Sequence, residues 1–589
     1  MKKISIGNAG GYWGDDPQAL KRQILGGRLD YISMDFLAEV TMSIMQKQRS
    51  NDPTLGYARD FLPMIEPVLK KALEQKTKII TNAGGVNPLA CAEALLKLAE
   101  KQGLKLKVSV VYGDDVLPDI PGLQKSGAAF ANMETGQKFA DVCTKIEAAN
   151  VYFGALPVVE ALKDNPDIVI TGRVTDTGIT LAAMIHEFQW ELDDWDKLAS
   201  GIIAGHIIEC GAQATGGNFT DWKKIKSFAN MGYPIIEMQE DGVFTVTKHP
   251  FTGGLVSVDT VREQLVYEMG NPTAYLTPDV VADFSSAELK AEGENRVRVF
   301  NVKGYEPTPF YKVSMAYTDG YKCIGAIAIS GPEARAKAEC FAQIFWDRVG
   351  IDFLSTHTEY FGWNACHQSL GLASEGNEII LRLGARDLDE KKLKIFSKLI
   401  PSLILGGPPG VCVLGGAPKV SEVVSYWPAL MDKKLVNPSV AMLASGQTKI
   451  HRKLTHIVSG QFKSKEAHIQ VAEKITQDLS TCLANRIGKP LSEICLGRSG
   501  DKGDTSNIGI LARSDDAYAY IKKNLTAEVV KNLFQEICHG AVTRYEIDNL
   551  KALNFLLDNS LGGGGTVTLR ADAQGKTYAQ ALLRQKFDF

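Results

Sequence analysis

At 589 residues the chain is too long for one hydrophobic core, so two or three domains are expected. Its 45% hydrophobic and 23% charged content suits a globular protein in water, and a net charge of −3 without a long basic run argues against nucleic acid and anionic membrane as partners. The ten cysteines stand singly with no C-x-x-C, which leaves zinc ribbons and disulfide frameworks unsupported and points to a reduced, cytoplasmic protein. The start, MKKISIGNAGGYWG, lacks the apolar core of a signal peptide. The most apolar run, 399–416, carries three prolines and five glycines, so a buried strand-and-loop passage is expected there rather than a membrane-spanning helix.

In chain order, residues 4–16 (ISIGNAGGYWGDD) and 79–88 (IITNAGGVNP) each set the same tetrapeptide behind a β-rich run. Strand, glycine turn and helix in that order aim backbone N–H groups at an anion. Asn8, Gly10, Gly11, Asn82, Gly84 and Gly85 are therefore candidate anion-binding residues. The alternative is that the glycines serve tight turns and close packing. Neither loop is G-x-G-x-x-G or a Walker motif, so NAD and ATP are not indicated and the cofactor is unknown. Helices at 15–25, 60–76 and 89–102 alternate with strands at 29–36 and 106–112, which implies βαβ units and a parallel sheet. A third junction, GRVTDTG after the strand 167–171, offers Arg173, Thr175 and Asp176. Arginine there suits bidentate carboxylate or phosphate recognition, whereas Asp176 is a general base or a helix N-cap.

Residues 204–222 (AGHIIECGAQATGGNFTDW) gather His206, Glu209, Gln213 and Asn218. His206 and Glu209 share a helical face and form an acid–base candidate, set against a merely hydrogen-bonded buried histidine; no second such pair supports a metal site. From about 233 the pattern turns antiparallel, with Asp-Gly hairpin signals in 235–247 and 312–329 and helices at 260–269 and 332–348. Lys248 and His249 lie on a glycine-rich turn, by default a surface one. A helix is expected at 471–479 and a linker at 485–490. Beyond it come strands at 491–497, 508–512, 541–547 and 566–569 with two helices, a compact α/β sandwich. The intervening 498–507 reads as a loop whose Arg498, Asp501, Lys502, Asp504 and Asn507 bind an anionic group or form a charge-paired contact between domains.

IGNAGGYWGD, ITNAGGVNP, DIVITGRVTDT, GHIIECGAQATGGNF and KHPFTGG, followed by LGRSGDKGDTSNIGI, resemble the acyclic terpene utilisation AtuA family with its small C-terminal ferredoxin-fold domain. The resemblance covers essentially the whole chain. It implies a setting in acyclic terpenoid or branched acyl-CoA breakdown beside a biotin-dependent carboxylase pathway, without bringing an established reaction. It also lifts Lys248 and His249 into the candidate site.

The expectation is therefore a Rossmann-like parallel sheet (1–232) with an α+β continuation (233–484), then a ferredoxin-like sandwich (490–589). The chemistry expected is addition or elimination on an acyl-CoA or carboxylate, as in a hydratase, lyase or isomerase. His206, Glu209 and Asp176 would move protons while the glycine loops and Arg173 hold the anion. The alternative is a non-catalytic subunit or scaffold of an acyl-CoA carboxylase pathway. Homo-oligomerisation is expected, without a motif that sets its order.

Overall fold

The computed structural model describes residues 2–371, 376–445, 450–454, 470, 472–476 and 488–588. Its centre is an eleven-stranded sheet. Five parallel strands form the middle, in the spatial order Lys3–Asn8, Tyr31–Met34, Lys78–Thr81, Ile168–Thr171, Lys107–Tyr112. Their side chains are apolar on both faces, as a sheet covered from both sides requires. Ile79, Val108, Val110 and Ile170 pack with the helices Phe61–Ile65, Leu69–Gln75 and Pro88–Lys101. Ile80, Val111 and Val169 pack with Gly178–Phe188 and Trp195–Glu209. In chain order these strands run 1-2-3-5-4, unlike the 3-2-1-4-5-6 of the doubly wound dinucleotide fold.

The change of character at residue 233 falls inside this sheet. Pro234–Gln239 pairs antiparallel with Lys3–Asn8, and Phe244–Lys248, Val297–Phe300 and Glu288–Ala291 extend the same edge. On the opposite side Ser439–Ala444 pairs with Lys107–Tyr112, and Ile450–Lys453 forms the edge. The Asp-Gly signal in 235–247 does make a hairpin. The one in 312–329 does not. Phe310–Ser330 is a single strand of 21 residues, and Asp319-Gly320 is a bulge within it. Both arms find other partners, Glu378–Asp387 and Val420–Asp432, while the Asp319 carboxylate accepts from Arg386 and Ser425. Gly320 sits there at φ +84°. The expected helix at 60–76 is two short ones. The 399–416 passage is less buried than expected, with Leu405 almost fully exposed.

The C-terminal unit is a five-stranded antiparallel sheet, Glu473–Ile475, Val542–Ile547, Ala552–Leu557, Thr505–Ala512, Cys495–Lys502, with helices Asp515–Asn524, Ala527–Leu533 and Tyr578–Leu583. The presumed loop 498–507 is instead the two arms of a hairpin turning at Gly503, φ +65°. Glu473–Ile475 is strand where helix was expected, and the rest of that expected helix lies partly outside the described residues, as does 485–487 of the expected linker. No strand forms at 566–569. This unit docks through polar side chains on buried backbone. Asn554 donates to Met269 O and Gly270 O, Asn507 donates to Val266 O, and Arg262 donates to Ala512 O and Leu550 O.

Candidate functional site

The carboxyl ends of the parallel strands carry a buried polar layer. Asp35, just after Tyr31–Met34, ties the two Asn-Ala-Gly-Gly loops together. Its N–H donates to Gly10 O at 2.9 Å, and its carboxylate accepts from Asn82 Nδ2 at 2.5 Å and Leu37 N at 2.9 Å. Burial, with the negative charge of Asp176 added, raises the Asp35 carboxyl well above the usual range. Arg173 is buried, stacks on Tyr152 at 4.0 Å, and donates from Nη1 to Leu37 O at 3.2 Å and Asp176 Oδ1 at 2.7 Å. Asp114 accepts from Arg173 N and Asn150 Nδ2, and burial pushes its carboxyl up to about 6.

A second group lies where Trp195–Glu209 ends. His206 is wedged between the rings of Tyr275 and Phe284, at 5.6 and 5.2 Å. Its Nε2 stands 3.1 Å from Gln264 O, and its Nδ1 stands 3.1 Å from Glu209 Oε1. A carbonyl only accepts, so Nε2 carries a hydrogen. In the neutral ring Nδ1 is then bare; it is buried without a hydrogen-bond partner as it stands, and a bond to Glu209 would need one proton between the two groups. Burial raises the Glu209 carboxyl, partly offset by His206, and the charges of Asp176 and Glu268 add to the rise. Glu209 Oε2 is buried without a hydrogen-bond partner. Cys210 follows, and burial together with Glu209 raises its thiol well above the usual range, so it is no thiolate nucleophile.

The two parts of the chain form a half-open cavity of about 500 Å³, lined from one side by Gln213, Asn218, Trp222 and Tyr267 and from the other by Arg498, Ser499 and Lys576. Arg498 pairs with the fully buried Glu263 at 3.3 Å and donates to Gly217 O at 3.1 Å. Burial pushes Glu263 up to about 7 against the pull of Arg498. Lys576 Nζ contacts the Tyr267 hydroxyl, Glu268 at 3.0 Å and Asp501 at 3.3 Å. Among the described residues no group of three or more His, Cys, Asp and Glu is placed to hold a metal ion.

Two family models cover this geometry. The one described as acyclic terpene utilisation family protein AtuA matches residues 4–442. The chain belongs to this family. The AtuA ferredoxin-like domain matches residues 489–588, so the seam cavity lies between the AtuA region and the ferredoxin-like domain. No curated protein matches the chain. Among solved structures, the aspartate kinase of Clostridium acetobutylicum aligns at 11% identity and a TM-score of 0.16, covering 75% of this chain and 87% of its own, a score that carries no argument. Among the described residues no helix is long and apolar enough to cross a membrane.

Within the AtuA region the glycine-loop amides face inward. Gly10 N donates to Asn8 Oδ1, Gly11 N to Asp15 Oδ2 and Gly85 N to Asn82 O, all near 3 Å. Asn8 and Asn82 are fully buried, and a Cβ on Gly84 would lie 2.5 Å from Pro88 Cβ and Thr171 O. These residues shape the edge rather than offer donors to an anion. Gly11 packs against the Cys210–Gly211 turn so closely that a Cβ would lie 2.6 Å from Gly211 N. Asp176 is no cap; its carboxylate holds Arg173. Thr175 Oγ1 is buried without a partner. Lys248 donates to Thr252 O at 2.9 Å, and His249 Nε2 stands 3.0 Å from Gln23 O, whose side chain donates to Asn8 O, so both fix the turn after Phe244–Lys248. Asp504 accepts from Leu561 and Gly563 N–H and shapes a turn, while Lys502 stands 5.9 Å from the Tyr275 ring.

The structure thus brings Gln213, Asn218 and Arg498 to one seam, with Asp501 on its Lys576; it buries His206 and Glu209 at the end of Trp195–Glu209, outside the cavity wall, and leaves Lys248 and His249 at the end of the strand Phe244–Lys248. Lys576, Tyr267, Glu268 and Glu263 were not foreseen. Lys576 lies in an unremarkable GKT with no local signal.

Proposed function

We propose that this AtuA-family chain is an enzyme of acyclic terpenoid breakdown that moves a proton during addition to, or elimination from, an acyl thioester or carboxylate. The observation that carries the reading is the buried His206–Glu209 pair, with Nδ1 and Oε1 3.1 Å apart and the other carboxylate oxygen, Oε2, unpartnered. A carboxyl raised by burial holds its proton to a higher pH than a free one and can give it up or take one back, as a general acid–base catalyst must. Glu209 lies four residues before Gln213, a wall of the seam cavity. In this reading Lys576 receives the anionic end of the substrate, in place of the glycine loops and Arg173. His206 stands beside the Glu209 carboxyl; Asp176 contributes negative charge that favours the protonated acid.

Incubation with branched acyl thioesters and free acids in D2O should place deuterium on the carbon next to the carbonyl. Glu209→Gln should slow this about 100-fold or more, the usual scale for removing a general acid–base group. No exchange across the panel, or unaltered exchange in the variant, would contradict the reading.

A further inference from the structure

We infer that the seam cavity takes an adenine nucleotide group, with its base on Trp222 and its phosphates towards Lys576. The inference rests on the reading of the seam as the substrate site, though on no particular reaction. At about 500 Å³ the cavity is of the size that holds a whole small ligand. Trp222 lines it with more than half of its surface exposed, and Lys223 Nζ lies 5.7 Å from the ring centroid. An indole with a cation over one face and more than half of its surface open is a platform on its other face for a flat base with phosphates attached.

Two side chains of the lining keep buried atoms without hydrogen-bond partners, Gln213 Oε1 and Arg498 Nε. One accepts and the other donates. Buried polar groups are normally satisfied, so this complementary pair asks for a ligand edge that offers both a donor and an acceptor. The amino group and ring nitrogens of adenine offer them side by side. A simple carboxylate offers acceptors alone and an apolar chain offers neither. At Lys576 the contact to Asp501, at 3.3 Å, is longer than that to Glu268, and it is the one a phosphate oxygen would replace.

The same chemistry belongs to a free nucleotide and to the nucleotide handle of coenzyme A. Calorimetric titration of the full chain with ADP, coenzyme A, inorganic phosphate and a short branched free acid separates them. Either ADP or coenzyme A should bind, and Trp222→Ala and Lys576→Gln should each weaken that binding tenfold or more. Equal affinity for the two assigns a free nucleotide; preference for coenzyme A assigns its handle. Binding of neither, binding untouched by both substitutions, or inorganic phosphate binding as tightly as ADP would overturn the inference. If the free acid alone binds, the inference falls while the acid–base reading stands.

Discussion

His206 and Glu209 were legible as a pair in the sequence because their spacing puts them on one helical face. What the sequence could not supply was the third partner, Gln264 O, which arrives from the following helix Val258–Leu265 and sets the ring's tautomer. The same helix brings Glu263 under Arg498, across more than 230 residues of chain, and neither residue alone signals the other. Glu263 makes a stability prediction with a definite sign. Its folded value, about 7, is raised from 4.5, so the buried carboxyl favours folding while protonated. That contribution is full below about pH 4.5 and is lost as pH rises through 7. Glu263→Gln should therefore flatten the fall in melting temperature between pH 5 and pH 8, a difference on the order of 3 kcal/mol at most. An unchanged pH profile in the variant would show that Glu263 is ionised throughout, held by Arg498.

At the scale of elements, alternation of strand, glycine turn and helix announced the parallel centre of the sheet, and its strands lie close to where they were expected. The hairpin at 312–329 was misjudged because Asp-Gly serves a bulge as well as a turn. Only the neighbouring strands Glu378–Asp387 and Val420–Asp432 decide between the two. The glycine loops were misjudged for a related reason. Their amides looked free in sequence, yet Asn8, Asp15 and Asn82 supply acceptors from within the loops or close by. Gly11 matters for its missing side chain. Gly11→Ala should push back the Cys210–Gly211 turn, cost about 1–3 kcal/mol through overpacking, and slow proton exchange as Glu209 shifts. A variant with full stability and full exchange would show that the turn has room to spare.

For the whole molecule, the two family regions share one core and one site. Leu496, Leu511, Ile547 and Leu550 of the ferredoxin-like domain pack in the same apolar cluster as Ile203, Val261 and Leu265. Cutting the chain before residue 488 would strand Arg262 and the carbonyls of Val266, Met269 and Gly270, each buried polar group costing about 1–3 kcal/mol. The truncated chain should melt well below the full chain or aggregate, whereas an unchanged melting temperature would show the domains to be independent. A sequence reading finds the domains but not their shared seam, because Lys576 and Arg498 acquire their meaning only from Tyr267, Glu268 and Glu263 opposite.

The central claim, that His206 and Glu209 form a buried acid–base pair, can be read directly by nuclear magnetic resonance of the chain labelled with ¹⁵N at histidine. The account predicts a His206 ring with hydrogen fixed on Nε2, a Glu209 carboxyl raised above the ordinary carboxylate range, and a Nδ1 chemical shift that changes in Glu209→Gln. A ring with hydrogen on Nδ1 and a bare Nε2, or a Glu209 that titrates alone in the ordinary carboxylate range, would contradict it.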